Sequence, residues 1–140
     1  FENRDQIIEV VGMFQKEVAE RVVSKKGRSR GILSVLIQVF YDVEYCFTVH
    51  ENVFTPPPKV KSGVIRLIRN SRATLDCDEQ IFKRLVKTGF NQRRKTLKNA
   101  LKSFSLEKEL ETTNLLQKRA EELSVEDFIT ITLAWQKNPK

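Results

Sequence analysis

Residues 54–63 read Phe-Thr-Pro-Pro-Pro-Lys-Val-Lys-Ser-Gly, and this stretch divides the first half of the chain. The three prolines lack backbone donors and hold φ at about −65°, which excludes a helix or a central strand. We expect a stiff, extended loop that presents Phe54 at one end and Lys59 and Lys61 at the other. An aromatic ring beside fixed positive charges suits stacking on a nucleobase next to a phosphate. A proline-rich crossover with Phe54 in the core is the competing interpretation, and residue chemistry alone slightly favours it.

The segments on either side of this loop have strand patterns. Residues 41–49 alternate apolar and polar side chains, which predicts a strand with one buried face. The expected buried positions are Tyr41, Val43, Tyr45, Phe47 and Val49. Residues 64–68 predict another strand, and we expect these two strands to be antiparallel neighbours.

The region before residue 41 predicts one more strand and two helices. The apolar run at residues 7–14 suits a strand covered on both faces, as in a parallel sheet. Residues 15–23 have a helical apolar face, and residues 32–40 are consistent with a short helix. Between them, residues 24–31 carry four cations and two glycines, which predicts a mobile basic loop.

The second half of the chain has helical periodicity throughout. The first helix is predicted to bury Phe82, Leu85, Val86, Gly89 and Phe90, and the second to bury Leu97, Ala100, Leu101 and Phe104. Ser124 followed by Asp127 predicts the start of a last helix. Its β-branched residues 129–132 make a strand conceivable, but capping and length favour the helix.

These elements predict an α/β unit over residues 1–70, a linker over residues 71–78 and an all-helical unit over residues 79–140. Three strands make a thin layer, whereas a free-standing Rossmann-like sheet normally has more. We therefore interpret the first unit as the end of an α/β sheet.

Charge is segregated along this basic chain, which carries a net charge of +7. No acidic residue occurs from Gln80 to Leu106, although this segment contains Lys83, Arg84, Lys87, Arg93, Arg94, Lys95, Lys98 and Lys102. Such an unmixed block repels itself unless an anion lies against it. With Phe90 and Asn91-Gln92 just before, it predicts contact with RNA or DNA through phosphates, base edges and stacking. The alternative is a basic surface with Phe90 in the core.

The sequence lacks the residue patterns of nucleotide-binding, metal-binding and membrane-spanning proteins. The five glycines form no dinucleotide or nucleotide phosphate cradle, and two distant cysteines with one histidine predict neither a disulfide nor a metal site. We expect reduced thiols in a cytosolic protein. No apolar run is long enough for a membrane span. The residues alone indicate no catalytic machinery.

Four segments together carry a resemblance to a known family. They are Gln-Lys-Glu-Val-Ala-Glu-Arg-Val at residues 15–22, Leu-Ser-Val-Leu at 33–36, the proline stretch extended to Val64, and Phe-Asn-Gln-Arg-Arg-Lys-Thr-Leu at 90–97. In this order they resemble the KsgA family of ribosomal RNA adenine dimethyltransferases over nearly the whole chain. The proline motif is shared with erythromycin-resistance methyltransferases, and the second motif distinguishes the KsgA branch.

The resemblance implies a Rossmann-like domain that binds S-adenosylmethionine, followed by a helical domain. Such enzymes dimethylate the exocyclic amines of two adjacent adenosines near the 3′ end of small-subunit ribosomal RNA during ribosome biogenesis. The family's cofactor motif and catalytic motif precede the region matched here. The resemblance therefore implies that this chain is the C-terminal portion of the enzyme and is inactive by itself.

The resemblance also implies roles for particular residues. Phe54 matches the aromatic residue expected to stack on the flipped target adenine. Lys59 and Lys61 lie in the same loop, and Lys61 replaces an acidic residue common in relatives. The basic segment expected to meet the RNA backbone consists of Gln92, Arg93, Arg94, Lys95 and Lys98. No DNA or membrane partner is expected.

Two alternatives stay open from the sequence. One is a non-catalytic RNA-binding or ribosome-assembly module. The other is a resistance-type methyltransferase that acts on large-subunit RNA, and the Gln-Arg-Arg-Lys segment argues against it.

Overall fold

The computed structural model describes residues 1–139, which form two compact units. The sheet unit contains residues 1–25 and 29–73, and the helical unit contains residues 26–28 and the chain from residue 74 onward. The division between residues 73 and 74 falls within the segment predicted as a linker. The short insertion at residues 26–28 has no counterpart in the sequence-based prediction.

The sheet unit has a three-stranded antiparallel sheet. Its strands are β1 (Glu9–Gln15), β2 (Tyr41–Val49) and β3 (Ser62–Arg69), in the order β1-β3-β2. The predicted antiparallel pairing of the two later strands is confirmed, with Tyr45 opposite Ile65. The chain therefore has a mixed α/β fold.

The prediction for β1 is wrong in two respects. This strand pairs antiparallel with β3 and lies at the edge of the sheet. Its apolar side chains are also largely exposed, with Val11 at 60% and Met13 at 49% of full exposure. A continuous apolar run indicates that both faces of a strand favour burial. It does not indicate which residues pack against those faces.

The alternation predicted for β2 fails at one residue. The register shifts between Tyr45 and Phe47, so that Cys46 forms a β-bulge. The bulge moves Phe47 and Val49 to the opposite face of the sheet, since they pair with Val64 and Ser62, and Phe47 is 58% exposed. An inserted residue of this kind breaks the two-residue period on which the prediction rested.

Two helices in the sheet unit agree with the predicted positions. They are α1 (Lys16–Val23) and α2 (Ile32–Gln38). Ala19 and Val22 of α1 form a core cluster with Ile65 of β3. Between the helices, Arg30 was predicted to belong to a mobile basic loop, and this is wrong. Its side chain is buried and donates to the Ser24 carbonyl at 2.7 Å and to Gln38 Oε1 at 3.1 Å.

The helical unit contains α3 (Glu79–Asn91), α4 (Leu97–Ala100) and α5 (Val125–Lys137). All nine positions predicted to be buried in its first two helices are buried. The second predicted helix is shorter than expected, because α4 has one turn and a 3-10 turn, Lys102–Phe104, follows it. Residues 105–124 form loops and 3-10 turns at Leu115–Gln117 and Ala120–Glu122. Within residues 1–139, none of the helices has the length and apolarity needed to span a bilayer.

Candidate nucleic-acid interface

The proline loop, residues 50–61, connects β2 to β3 in the sheet unit. It begins with a 3-10 turn, Glu51–Val53, in which His50 Nδ1 accepts a hydrogen bond from the Asn52 amide at 3.1 Å. The single histidine of the chain therefore caps a turn. At the other end, the Lys61 carbonyl accepts from the Lys16 amide at 2.9 Å, which fastens the loop to the start of α1.

Phe54 and the two lysines of this loop differ in exposure. Phe54 is half-buried, whereas residues 55–61 are all exposed. The ring is therefore outside the fully buried core and keeps part of its surface accessible. Lys59 and Lys61 are exposed on the same short loop. A partly accessible aromatic ring with exposed cations in the same loop is what stacking on a base next to a phosphate requires.

The basic segment of the helical unit begins where α3 ends. The Lys95 amide donates to the Gln92 carbonyl at 2.8 Å, which forms a turn between α3 and α4. The turn places Gln92, Arg93, Arg94 and Lys95 on the surface, and Lys98, which lies in α4, is exposed as well. Exposed cations on a turn reach phosphates without a groove.

Phe90 does not join this surface. Its side chain is 8% exposed, and its ring stacks on Phe128 of α5 with centroids 6.0 Å apart. The suggested stacking of Phe90 on a base is therefore wrong, and the alternative, a core position, is correct. The position of Phe90 on the apolar face of α3 already indicated burial.

Arg93 differs from its neighbours because its guanidinium has partners within the protein. One nitrogen, Nη2, donates to the Arg28 carbonyl at 2.6 Å and to Glu121 Oε2 at 2.9 Å. Glu121 is mostly buried, with a side-chain exposure of 16%. Arg93 thus links residues that are 65 positions and 28 positions away in the sequence.

Sequence reasoning missed the loop that these contacts hold. The Gly27 amide donates to the Glu121 carbonyl at 2.9 Å, and Gly27 has a φ of 90°. Lys26 and Arg28 on either side are exposed. The basic composition of residues 24–31 was visible, but no local pattern indicated that Lys26–Arg28 would attach to the helical unit.

Comparisons with known proteins point to one family. Residues 1–137 match the family described as Ribosomal RNA adenine dimethylase. Ribosomal RNA small subunit methyltransferase A of Cytophaga hutchinsonii is 62% identical over 130 residues, which cover 92% of this chain and 50% of that protein. The protein of the same name from Flavobacterium johnsoniae is 58% identical over 132 residues, covering 94% and 51%. The chain spans about half the length of these curated relatives.

Solved structures agree in fold. A dimethyladenosine transferase from Plasmodium falciparum superposes with a TM-score of 0.81 at 24% identity, over 97% of this chain and 61% of that chain. The 23S rRNA methyltransferase ErmE superposes with a TM-score of 0.63 at 17% identity, over 93% and 55%. At these identities the likeness concerns the fold alone.

Proposed function

Because this chain belongs to the ribosomal RNA adenine dimethylase family, we propose that it supplies the RNA-binding portion of an S-adenosylmethionine-dependent methyltransferase. The reaction is dimethylation of the exocyclic amines of two adjacent adenosines near the 3′ end of small-subunit ribosomal RNA, during ribosome biogenesis in the cytoplasm. The observation that carries this proposal is the 62% identity to a small-subunit methyltransferase over 130 residues. The helical unit then positions the enzyme on RNA, and the sheet unit completes a Rossmann-like sheet.

The residues of this chain do not fit S-adenosylmethionine. Its five glycines lack the spacing of a glycine-rich cofactor cradle. An open depression of the helical unit, with a volume of about 430 Å³, is lined by Lys83, Arg84 and Lys87 and by no carboxylate. Such walls repel the sulfonium of the methyl donor. We therefore propose that the cofactor is held outside this chain, and that the chain alone does not methylate RNA.

A chimera tests this proposal directly. We would replace the matching half of the Cytophaga hutchinsonii protein with this chain and assay methyl transfer to unmethylated small subunits. We expect the chimera to dimethylate both adenosines, and the chain alone to transfer no methyl groups. Methylation by the chain alone would overturn the division of roles. A folded chimera that binds the RNA without methylating it would instead favour a non-catalytic RNA-binding module, and methylation of large subunits would favour a resistance-type enzyme.

We assign Phe54 to stacking on the target adenine because its ring is half-buried beside an exposed cationic loop. Stacking would orient the base for methyl transfer. In the chimera, Phe54→Ala should lower turnover by roughly five- to a hundredfold, since stacking contributes about 1–3 kcal/mol per base. The loss of binding should be smaller. Phe54→Trp should restore turnover, and Phe47→Ala, which removes an exposed ring of β2, is the matched control. Normal kinetics for Phe54→Ala would refute the assignment.

We assign phosphate contacts to the exposed cations of both units: Lys59, Lys61, Arg94, Lys95 and Lys98. Gln92 is assigned to a polar contact beside the three cations of the helical unit. Each phosphate contact releases condensed counterions, so binding should weaken as salt rises. In Arg94→Gln/Lys95→Gln, the slope of log K against log salt should become shallower by about 0.7–0.9 for each cation removed. An unchanged slope would remove these two residues from the interface.

A further inference from the structure

The loop Lys26–Arg28 is the part of the helical unit that comes from the first third of the sequence. We propose that this loop is a second phosphate-binding element for RNA, next to the turn of Arg94 and Lys95, and that Arg93 and Glu121 hold it in place. This inference rests on the proposed function, because it deepens the account of the same RNA-binding surface.

Glu121 holds the loop through two different groups. Its carbonyl accepts the Gly27 amide at 2.9 Å, and its carboxylate accepts Arg93 Nη2 at 2.9 Å. The same nitrogen of Arg93 donates to the Arg28 carbonyl at 2.6 Å. Two peptide groups of the loop, those on either side of the peptide bond between Gly27 and Arg28, are therefore held by hydrogen bonds. The φ of 90° at Gly27 is a conformation that other residues rarely adopt, so the loop is shaped for this attachment.

The attachment brings like charges together. Arg93 touches the backbone of Arg28, and Arg94 and Lys95 directly follow Arg93 in the turn. The exposed cations near this contact are Lys26, Arg28, Arg94 and Lys95. Two like unit charges 4 Å apart repel each other by about 1 kcal/mol even in water. A bound anion would offset this repulsion between neighbouring cations.

The two neighbouring carboxylates make hydrogen bonds within the helical unit. Glu121 pairs with Arg93, and Glu122 Oε2 accepts the Arg119 amide at 2.7 Å at the start of the 3-10 turn Ala120–Glu122. These acids therefore organise the turn at residues 119–122. Lys26, Arg28, Arg94 and Lys95 outnumber these two carboxylates, so the charges named here sum to a positive value.

Arg93 is accordingly a positioning residue. A planar guanidinium can serve a carboxylate and a carbonyl together, whereas a lysine ammonium is a flexible point charge. If Arg93 contributed only its positive charge to RNA binding, the Arg93→Lys variant would bind RNA as well as wild type. If it acts by holding Arg28, lysine should fail although the charge is kept.

The occupant is the phosphate backbone of folded RNA. Asn91 and Gln92, exposed at the end of α3, add amide groups that suit bases and ribose hydroxyls next to the phosphates. An acidic protein of the ribosomal particle is the competing occupant, and the test below separates the two.

The experiment measures binding of the 140-residue chain to protein-free small-subunit RNA across a salt titration. Lys26→Gln/Arg28→Gln should weaken binding by about five- to tenfold for each contact at low salt and reduce the salt slope by about 1.4–1.8. Lys16→Gln/Lys137→Gln removes the same charge from positions that belong neither to the assigned contacts nor to the acid-free segment, and it should change the slope little. Equal effects of the two double variants would overturn the proposal, because only net charge would then matter.

A mutant cycle tests the positioning role. Arg93→Lys should weaken binding by itself and should add nothing in the Lys26→Gln/Arg28→Gln background, because it acts through the loop. Exchange of the Gly27 amide should become faster in Arg93→Lys. Additive losses, or no loss in Arg93→Lys, would overturn this role.

Arg94→Gln/Lys95→Gln separates failure of this inference from failure of the proposed function. If that variant weakens RNA binding and the loop variant does not, the loop inference is wrong and the proposed function stands. If neither variant weakens binding, both are wrong. If the loop variant weakens binding to small subunits but not to protein-free RNA, the loop contacts a ribosomal protein and the inference is overturned.

Discussion

Gly63 lies where α1 packs on β3, and it leaves no room for a side chain. A Cβ at this position would come within 2.7 Å of Ala19 Cβ and 2.8 Å of Tyr45 Oη. Ala19 is fully buried, so its carbon cannot move aside. The last residues of the proline stretch therefore position the loop by allowing the helix to approach the sheet closely.

We expect Gly63→Ala to destabilise the fold by about 1–3 kcal/mol, the usual cost of overpacking a core. Gly12→Ala in β1 is the matched control, because its new Cβ would meet only the ring of Phe14, an exposed side chain that can rotate. Denaturant unfolding of both variants checks this prediction. Equal destabilisation by the two substitutions would contradict it.

The two cysteines, which are both free, differ in environment. Cys46 is exposed at the bulge of β2, whereas Cys77 is buried, and burial raises the pKa of the Cys77 thiol. A raised pKa lowers the thiolate fraction at any given pH, and the thiolate is the reactive form.

We therefore expect Ellman's reagent to modify Cys46 rapidly and Cys77 slowly at neutral pH. The Cys77 rate should rise only at a higher pH than is usual for a thiol. Single-cysteine variants, Cys46→Ser and Cys77→Ser, allow each rate to be measured over about pH 7–9, the range around an ordinary thiol pKa. Similar rates at both positions in the folded protein would contradict the prediction.

The helix α5 shows how a short sequence signal fixes the start of an element. Ser124 Oγ accepts the Asp127 amide at 3.1 Å, and Asp127 Oδ2 accepts the Ser124 amide at 3.0 Å. These two bonds form the capping box predicted from the sequence, and they favour a helix although residues 129–132 are β-branched.

Loss of this cap should be measurable. Ser124→Ala removes one acceptor and should cost about 1 kcal/mol of stability. Ser103→Ala, at an exposed serine of the neighbouring 3-10 turn, should cost much less. Thermal unfolding followed by circular dichroism compares the two, and a Ser124→Ala protein as stable as wild type would show that the box is dispensable.

The elements that sequence predicted well are those specified locally. The apolar face of α3 and the cap of α5 depend on residues within four positions of each other. The exposure of β1 and the bulge at Cys46 depend instead on neighbours distant in sequence. In residues 105–124, apolar residues such as Leu110 and Leu115 are buried although the segment forms no long helix. The spacing of apolar residues alone does not distinguish such a segment from a helix.

In the candidate interface, too, the features set by nearby residues were predicted and those set by distant residues were not. Exposure of Arg94, Lys95 and Lys98 agrees with the expectation from an acid-free segment. The attachment of Arg28 to Arg93 spans 65 positions, and no local pattern encodes it. Arg93 was grouped with its neighbours because charge is visible in a sequence, whereas a partner is not.

The edge strand β1 bears on how the sheet unit functions in a whole protein. Ile8, Val11 and Met13 are exposed apolar residues at this edge, and Arg66 lies opposite Val11 in the register. An unpaired apolar edge promotes association between chains. If the sheet continues into a cofactor-binding half, as we propose, that half covers the edge.

Val11→Glu should therefore have opposite effects in two contexts. In the chain alone it should reduce self-association at little cost, because the carboxylate is exposed opposite Arg66. In the chimera with the cofactor-binding half it should destabilise the protein by about 2 kcal/mol or more, because a carboxylate would be buried. Val53→Glu, at an exposed loop residue of the sheet unit, should change neither property. Sedimentation velocity and denaturant unfolding provide the two measurements. Equal stability of Val11→Glu and wild type in the chimera would show that β1 stays uncovered, and the proposed continuation of the sheet would be wrong.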